Sequence, residues 1–307
     1  MHPPRIAALI VTYNRKSLLV RCLLALTKAS RTPDLILLVD NASTDGTRDM
    51  LREQGWLDRD DIQLLALPDN SGGAGGFAAG LKHLVANGVD WIWMMDDDAA
   101  PHPDALEELA KIAVDPTHVY GSLAVQETQT SWITTLMHPT PRAVHHANEV
   151  PERANVQFLP FLGFMIHKDL VQRIGLPDAG YFIAADDIEY CLRAQQAGAD
   201  IVIAGKSRIE HPKADWYRVG APGRSLICLR LPPWKRYYDT RNRLLIARKY
   251  YGIRLLTQTV PGSFVRLFAA LRHEPRRMAQ LGAFCAGMFD GLMGIKGPRH
   301  RWWRINP

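Results

Sequence analysis

The feature that most constrains the fold is a regular alternation of short apolar runs and longer amphipathic segments over about the first 120 residues. The apolar runs are typical of buried strands, and they cover residues 5–12, 35–39, 62–67 and 91–95. The segments between them predict helices, for example over 17–28. Strands that alternate with helices predict an α/β fold, in which helices cover both faces of a mostly parallel central sheet.

Polar or glycine-rich clusters follow each of the four predicted strands. They are Thr12-Tyr13-Asn14, Asp40-Asn41, the segment from Asn70 to Gly76, and Asp96-Asp97-Asp98. Ligands of open α/β sheets bind beyond the carboxyl ends of the strands. The convergence of four such clusters on one edge of the sheet therefore predicts a binding site there.

The acidic cluster at the end of the fourth strand indicates a metal site. If the chain stays extended, Asp96 and Asp98 point to the same side, and their carboxylates repel each other unless a cation joins them. Oxygen ligands with few protein contacts suit Mg²⁺ or Mn²⁺ that also holds a diphosphate. The alternative is a solvated acidic turn that caps the next helix.

The glycine-rich segment is read as a loop over 68–76, followed by a helix over 77–86. Such a loop lets backbone N–H groups come close to an anion or a sugar ring. Gly73, Gly75 and Ala78 also fit the dinucleotide pattern G-x-G-x-x-A, so a dinucleotide-dependent oxidoreductase is an alternative. A flexible turn is the remaining interpretation.

Two later segments supply further candidates. A helix is predicted over 186–197, where Asp186 and Glu189 fit a capping box and leave Asp187 available as a general base. Capping and catalysis remain equally open for this segment. His211 precedes Pro212 and becomes a candidate third metal ligand if the two aspartates form a site.

The C-terminal part has a different composition, so we expect a boundary near residue 230. Residues 231–307 contain 15 Lys/Arg and 3 Asp/Glu, whereas the first 230 contain 22 and 28. Helices are predicted around 237–250, 264–271 and 278–293, with aromatic residues among the basic ones. This composition favours an anionic membrane surface over nucleic acid, which we do not expect as a partner. Solvated helix faces are the alternative.

The four cysteines include no C-x-x-C pair, which favours reduced core thiols over a disulfide scaffold or a zinc site. The N-terminal apolar run is too short for a signal peptide, and no window is long and apolar enough for a membrane span. We therefore expect a cytoplasmic protein that lies at the inner face of the cell membrane.

The motifs at the strand ends resemble those of the family 2 glycosyltransferases with the GT-A fold, over roughly residues 5 to 250. The resemblance to the bacterial galactofuranosyltransferase branch rests on Asn70-Ser71-Gly72-Gly73-Ala74-Gly75-Gly76-Phe77, Trp93-Met94-Met95-Asp96-Asp97-Asp98 and the segment from Phe182 to Arg193. The segment from Tyr237 to Asn242 is similar to a motif shared with rhamnosyltransferases of the same family.

The resemblance implies an inverting transfer of galactofuranose from UDP-galactofuranose to an acceptor hydroxyl. The basic, aromatic C-terminal part leads us to expect a polyprenyl-diphosphate-linked glycan as the acceptor. Asp187 would be the base, and Asp96, Asp98 and His211 would bind Mn²⁺ or Mg²⁺. Asp40 would contact the uracil. Other residues at the nucleotide would be Thr12, Asn14, Arg15, Asn70, Gly73 and Asp97. Residues at the donor sugar or the acceptor would be Gly75, Gly76, Phe77, Asp186 and Trp216.

A dTDP-rhamnose-dependent transferase is the nearest alternative, since it shares the fold and the mechanism. A glycan-binding protein without activity is a further one. The linkage and the acceptor sugar remain open at this stage.

Overall fold

The computed structural model describes residues 3–221 and 224–305. The chain divides into two compact units, Met1–Asp178 with Asp187–Lys213, and Ala179–Asp186 with Ala214–Pro307. The boundary lies earlier than the expected position near residue 230. One reason is that Tyr217 Oη donates a hydrogen bond to Glu274 Oε1 at 2.8 Å, which ties the segment after Lys213 to the C-terminal helices.

The first unit begins with the predicted alternation of strands and helices. Its elements are β1 (Ile6–Thr12), α1 (Lys16–Thr27), β2 (Leu35–Asp40), α2 (Thr47–Glu53), β3 (Ile62–Ala66), α3 (Gly72–Ala86) and β4 (Trp91–Asp96). The four strands lie in the order β3-β2-β1-β4, and all of their pairings are parallel. This arrangement confirms the predicted α/β class and brings the carboxyl ends of the four strands to one edge.

The second half of this unit extends the sheet. It contains β5 (Ala100–Pro101), α4 (Ala105–Ile112), β6 (Val119–Gln126), β7 (Gln129–Leu136), β8 (Arg142–His146), β9 (Ala154–Asn155), β10 (Leu162–His167), α5 (Lys168–Ile174), α6 (Asp186–Gln196) and β11 (Ile201–Glu210). The order continues as β4-β10-β6-β11-β5, with β10 antiparallel to both of its neighbours. The scattered Pro, Thr and His of residues 126–158 predict an irregular region, and the β7–β8 hairpin corrects this.

Strand β1 shows why this sheet is buried on both faces. Its side chains alternate, so that Leu9 and Val11 join one apolar cluster and Ala8 and Ile10 join another. The first cluster includes residues of α3, and the second includes residues of α1. A parallel strand covered by helices on both sides is expected to be apolar throughout, as β1 is.

Helix α3 begins at Gly72, five residues earlier than predicted, because its glycines serve close packing. A Cβ atom at Gly76 would lie 2.5 Å from Val11 Cγ1, and one at Gly80 would lie 2.2 Å from Leu9 Cδ1. These distances require glycine where the helix crosses β1. The predicted glycine loop is therefore mostly helix, and its first turn starts at the carboxyl edge of the sheet.

The second unit combines a hairpin with helices. It contains β12 (Trp216–Ala221), β13 (Arg224–Leu229), α7 (Pro233–Tyr250), α8 (Val260–His273) and α9 (Arg277–Met293). Helices α7 and α9 pack closely at two glycines, since a Cβ atom at Gly287 would lie 2.6 Å from the carbonyl oxygen of Tyr237, and one at Gly291 would lie 2.8 Å from Leu244 Cβ. The three predicted C-terminal helices are confirmed. Among the described helices, none is long and apolar enough to cross a membrane.

Candidate active site

Two asparagines hold the loops at the carboxyl edge of the sheet together. Asn41 Nδ2 donates to the carbonyl oxygen of Gly72 at 2.9 Å, and Asn41 Oδ1 accepts from the Ser71 amide at 2.9 Å. Asn14 Oδ1 accepts from the Thr44 amide at 2.7 Å, and Asn14 itself has a positive φ of 54°. Asn14 was predicted to hold the nucleotide, whereas its side chain here joins the loops after β1 and β2.

Asp40 ends β2 and is fully buried. Its Oδ1 accepts from the Ser43 amide at 2.9 Å, and its Oδ2 accepts from Arg48 Nε. The sequence analysis missed Arg48, which pairs with Asp40 from the first turns of α2. An open cleft of about 570 Å³ is lined by Arg48, Thr44, Leu67 and Pro68, among others, whereas Asp40 does not line it.

Asp97 is buried and orients two neighbours of the candidate site. Its Oδ2 accepts from Thr12 Oγ1 at 2.7 Å, and its Oδ1 lies 3.4 Å from Arg15 Nη1. Burial raises the pKa of Asp97 to about 6, although the Thr12 hydrogen bond and the Arg15 charge both lower it. Thr12 and Asp97 were predicted to contact the nucleotide, whereas in the structure their side chains hydrogen-bond to each other.

The acidic cluster does not continue β4 as an extended segment. The strand ends at Asp96, and the Ala99 amide donates to the Asp96 carbonyl oxygen at 3.2 Å, which closes a turn before β5. The prediction that Asp96 and Asp98 share one side of a strand is therefore wrong, because the chain turns between them. Asp98 Oδ2 pairs with Arg15 Nη1 at 2.7 Å, and Asp98 Oδ1 lies 3.4 Å from His211 Nε2.

The pairing of Asp98 and His211 fits a divalent cation. Among the described residues, the buried Asp98 Oδ1 accepts no hydrogen bond. The buried His211 Nδ1 likewise has no hydrogen-bond partner among them. Burial by itself would raise the pKa of Asp98, but the neighbouring His211 and Arg15 outweigh burial and lower it. A carboxylate kept ionised beside an imidazole is a suitable donor pair for Mn²⁺ or Mg²⁺.

The full three-ligand set is not assembled. Within residues 3–221 and 224–305, no group of three or more His, Cys, Asp or Glu side chains could hold a metal ion. Asp96, at the last position of β4, is therefore not brought together with Asp98 and His211 as predicted. Two protein ligands are typical of Mg²⁺ sites in which substrate phosphates complete the coordination.

The glycine-rich motif contributes differently along its length. Asn70 Oδ1 accepts from the Gly72 amide at 2.9 Å, so it holds the start of α3. Gly73 faces open space, since nothing lies within 4 Å of a Cβ atom built there. Gly75 and Gly76 are buried, and Phe77 is 2% exposed and packs on Phe161 with ring centroids 4.8 Å apart. Phe77 thus packs in the core, and its place at the donor sugar stays a prediction.

The candidate base lies in the first turn of α6. Asp187 is half-buried, and its Oδ1 accepts from the Ile188 amide at 2.7 Å. Burial raises the pKa of Asp187 to about 6, although the backbone hydrogen bonds at this helix start lower it. Asp186 is the first residue of α6, and Glu189 pairs with Arg193 one turn further along. A carboxyl group with this pKa suits general-base catalysis near neutral pH.

Trp216 lies in the second unit, where it is the first residue of β12. The guanidinium of Arg218 lies 5.7 Å from the centroid of its ring. The role of Trp216 at a substrate stays a prediction.

Comparison with known proteins assigns the class. Residues 7–175, more than half of the chain, match the model for glycosyl transferase family 2. In structure, the chain superposes on GalNAc-T7 with UDP, GalNAc and Mn²⁺ with a TM-score of 0.61 at 15% identity, covering 98% of this chain and 57% of that one. The chain belongs to glycosyl transferase family 2 and is a glycosyltransferase with the GT-A fold. This assignment sets aside the dinucleotide-dependent oxidoreductase.

Two relatives narrow the comparison further. Galactofuranosyltransferase GlfT1 of Mycobacterium tuberculosis (strain ATCC 25618 / H37Rv) is 29% identical over 279 residues, which is 88% of this chain and 90% of that protein. The dTDP-rhamnosyl transferase RfbF of Shigella flexneri is 23% identical over 310 residues, which is 95% of this chain and 97% of that protein. The chain thus resembles the galactofuranosyltransferases, as predicted from its motifs.

Proposed function

We propose that this glycosyltransferase moves galactofuranose from UDP-galactofuranose to a hydroxyl group of a lipid-linked glycan during assembly of a cell-surface polysaccharide. The observation that carries the proposal is the pairing of Asp98 with His211 and Arg15 at the carboxyl edge of the sheet. The proposal is also supported by the alignment of 88% of this chain with a galactofuranosyltransferase.

The reaction is a single displacement with inversion at the anomeric carbon. The acceptor oxygen forms a bond to that carbon while the bond from the carbon to the phosphate oxygen breaks, and the electron pair leaves with UDP. Asp187 takes the proton of the attacking hydroxyl. Its pKa of about 6 leaves the carboxylate ionised at neutral pH, so it can accept a proton without a partner base.

The departing diphosphate needs positive charge at the sheet edge. Arg15 supplies a guanidinium whose side chain is 45% exposed and is aimed by Asp97 and Asp98. Asp98 and His211 would hold the divalent cation, which when bound offsets charge on the diphosphate. The cleft lined by Arg48 is the proposed place of the uracil, and the buried Asp40 carboxylate holds the Arg48 guanidinium beside it.

The acceptor side is proposed to lie at a membrane surface. Helices α8 and α9 expose large apolar side chains, and basic residues lie among them in the sequence. On these two helices the exposed apolar residues are Phe264, Phe268, Met278, Phe289, Leu292 and Met293, and Trp302 and Trp303 are exposed in the segment after α9. Apolar and aromatic residues combined with Arg and Lys favour binding to an anionic lipid surface. We therefore place the enzyme at the inner face of the cell membrane, acting on a polyprenyl-diphosphate-linked glycan.

A dTDP-rhamnose-dependent transferase is the second candidate. It is favoured by the relative RfbF, whose alignment spans 95% of this chain. The same residues would then serve a different nucleotide and sugar.

Calorimetric titration separates the candidates. The purified protein is titrated with UDP and with dTDP, each with Mn²⁺ and with EDTA. UDP binding that requires metal and exceeds dTDP binding at least tenfold is the expected result. A preference for dTDP would move the donor to dTDP-rhamnose, and equal binding in EDTA would contradict the cation site.

The Asp187→Asn variant tests the base. It should bind UDP with an affinity within about twofold of the parent, because Asp187 contacts the acceptor and not the nucleotide. Release of UDP from UDP-galactofuranose with a lipid-linked glycan acceptor should fall by at least 10²-fold, within the range of general-base effects of about 10²–10⁴. Turnover retained at more than a tenth of the parent rate would remove Asp187 from this role.

A further inference from the structure

The backbone that leads into Asp187 is strained. Three residues other than glycine have positive φ angles within four positions, namely Phe182 at 66°, Ala184 at 70° and Ala185 at 62°. Left-handed backbone is unfavourable for residues that carry a Cβ atom, and it persists only where the surroundings hold it. The residues just before the candidate base must therefore be held by other groups.

Asn242 of α7 provides the first of these contacts. Its side chain is fully buried, and its Nδ2 donates to the carbonyl oxygens of Tyr181 at 3.0 Å, Ile183 at 2.9 Å and Ala184 at 2.7 Å. One amide group thus contacts three carbonyl oxygens within four residues of the strained backbone.

Arg241 provides the second contact and also fixes Asn242. Its Nη2 donates to the carbonyl oxygens of Gly180 at 3.0 Å and Tyr181 at 2.8 Å, while its Nε donates to Asn242 Oδ1 at 2.8 Å. The guanidinium lies 4.7 Å from the ring centroid of Tyr238, on which the Phe182 ring stacks at 5.0 Å. Arg241 is completely buried and is fixed by these contacts.

We propose that Asn242, oriented by Arg241, is a positioning residue that holds the three left-handed residues before Asp187 in place and so sets the direction of the Asp187 side chain. This inference rests on the proposed function, in which Asp187 is the base. It also assigns a task to the segment from Tyr237 to Asn242, which the catalytic site does not otherwise use. Neither Asn242 nor Arg241 touches substrate in this role.

The chain offers a matched control for a test. Gln280 is also a buried amide, 1% exposed, and its Nε2 donates to the Leu231 carbonyl oxygen at 2.8 Å and to Glu274 Oε2 at 3.1 Å. Asn242→Ala and Gln280→Ala therefore both remove a buried amide from the same unit. Only the first removes contacts to the backbone before Asp187.

Asn242→Ala should lower kcat for UDP release by about 10²-fold, the effect of misplacing a reacting group by about 1 Å. Its affinity for UDP should stay within twofold of the parent. Hydrogen exchange should speed up at the Phe182 and Ile183 amides, which donate to Ala179 and Tyr181 in the parent. Gln280→Ala should change neither kcat nor these amides. If Asn242→Ala does not fold, Asn242→Ser, which retains one donor, takes its place.

Second-site rescue distinguishes positioning from general loss of structure. Glycine adopts positive φ without strain, so adding Ala184→Gly and Ala185→Gly to Asn242→Ala should restore kcat at least fivefold. Unchanged kcat in Asn242→Ala, an equal loss in Gln280→Ala, or no rescue by glycine would overturn the inference. If instead Asp187→Asn keeps its turnover, the proposed function fails before Asn242 is tested.

Discussion

At the scale of single residues, the most informative group is Asp187, because its buried environment predicts how the activity depends on pH. Its pKa is raised by burial to about 6, so the base form is lost as the pH falls through that value. We expect kcat/KM for UDP release to be constant above about pH 7 and to fall about tenfold per pH unit well below pH 6. A pH profile of the parent enzyme measures this directly.

A control separates Asp187 from Asp97, whose pKa is also raised to about 6 by burial. The Thr12 hydroxyl lowers the pKa of Asp97, so Thr12→Val should raise that pKa further. If the acid limb belongs to Asp187, it stays in place in Thr12→Val. A limb that moves upward in this variant would assign the pH dependence to Asp97.

The second prediction at this scale concerns Asp98. Asp98→Asn removes the negative charge that faces His211 and Arg15, and with it a cation ligand. Replacing even an indirect partner of a metal commonly costs about 10–100-fold in affinity, so the Mn²⁺-dependent part of UDP binding should fall at least about tenfold. Binding in EDTA should change little. The variant Asp61→Asn, which breaks the exposed pair with Arg59, serves as the control. An equal loss with and without metal would contradict the ligand role.

The sequence indicated which residues lie at the edge of the sheet better than it indicated what they do. Strand ends identify Thr12, Asp40 and Asp98, because a parallel sheet brings those ends together. The sequence does not show that Asp40 accepts a hydrogen bond from Arg48 or that Asp97 accepts one from Thr12. Such partners depend on side-chain directions in loops, which no local spacing determines. Arg48 carried no motif of its own and was missed.

At the scale of elements, helix α3 shows where local propensity failed. Four glycines within five positions predict a loop, because glycine is unfavourable in helices. Tertiary contact decides otherwise, since only glycine at Gly76 and Gly80 allows the helix to lie against β1. Hairpin β7–β8 was missed because its two strands pair mainly with each other, and β7 meets β6 at only two positions, which no local sequence pattern shows. The apolar strands β1 to β4 were predicted from their composition alone.

This packing gives a prediction for the glycines of α3. Gly76→Ala places a methyl group 2.5 Å from Val11 Cγ1, so it should reduce the free energy of unfolding by about 1–3 kcal/mol, as overpacking does. Gly73→Ala meets nothing within 4 Å and should leave stability unchanged or raise it by up to about 1 kcal/mol. Urea denaturation of both variants tests this pair. Equal destabilisation would contradict the assignment of Gly76 to packing.

The same two variants separate packing from ligand contact. Because Gly73 faces open space at the start of α3, a methyl group there is expected to raise the KM for the nucleotide sugar at least threefold while the protein stays stable. An unchanged KM would remove Gly73 from the donor site. If the KM does rise, the glycine motif has two uses, with packing at its end and substrate access at its beginning.

At the scale of the whole molecule, the distribution of charge is the main property beyond the site. Residues 231–307 carry 15 of the 37 basic residues and only 3 of the 31 acidic ones. Some of these charges are internal, since Arg236 pairs with Glu274 and Arg241 is buried. Others are exposed, including Arg254, Arg301 and Arg304. It is this exposed subset, together with the exposed apolar side chains, that supports the proposed membrane surface.

Binding to lipid vesicles tests that surface with substitutions that leave the fold intact. Deletion of α9 would be unsuitable, because Gly287 and Gly291 pack against α7. Phe268, Met278 and Trp302 are 66%, 78% and 60% exposed, so replacing all three with serine should leave the thermal midpoint nearly unchanged. Binding to vesicles with anionic phosphatidylglycerol should fall at least tenfold, because apolar surface no longer enters the lipid.

Charge is tested separately from apolar contact. Arg254→Gln and Arg301→Gln should each weaken binding to the anionic vesicles about fivefold, since a basic residue near such a surface contributes about 1 kcal/mol. Raising the salt concentration should weaken the parent and reduce the difference between variants, because the attraction is screened. The control is Val114→Ser with Ile133→Ser, two apolar residues in the first unit that are 69% and 40% exposed. If this control loses vesicle binding as much as the triple serine variant does, the attraction is non-specific and the second unit has no special role at the membrane.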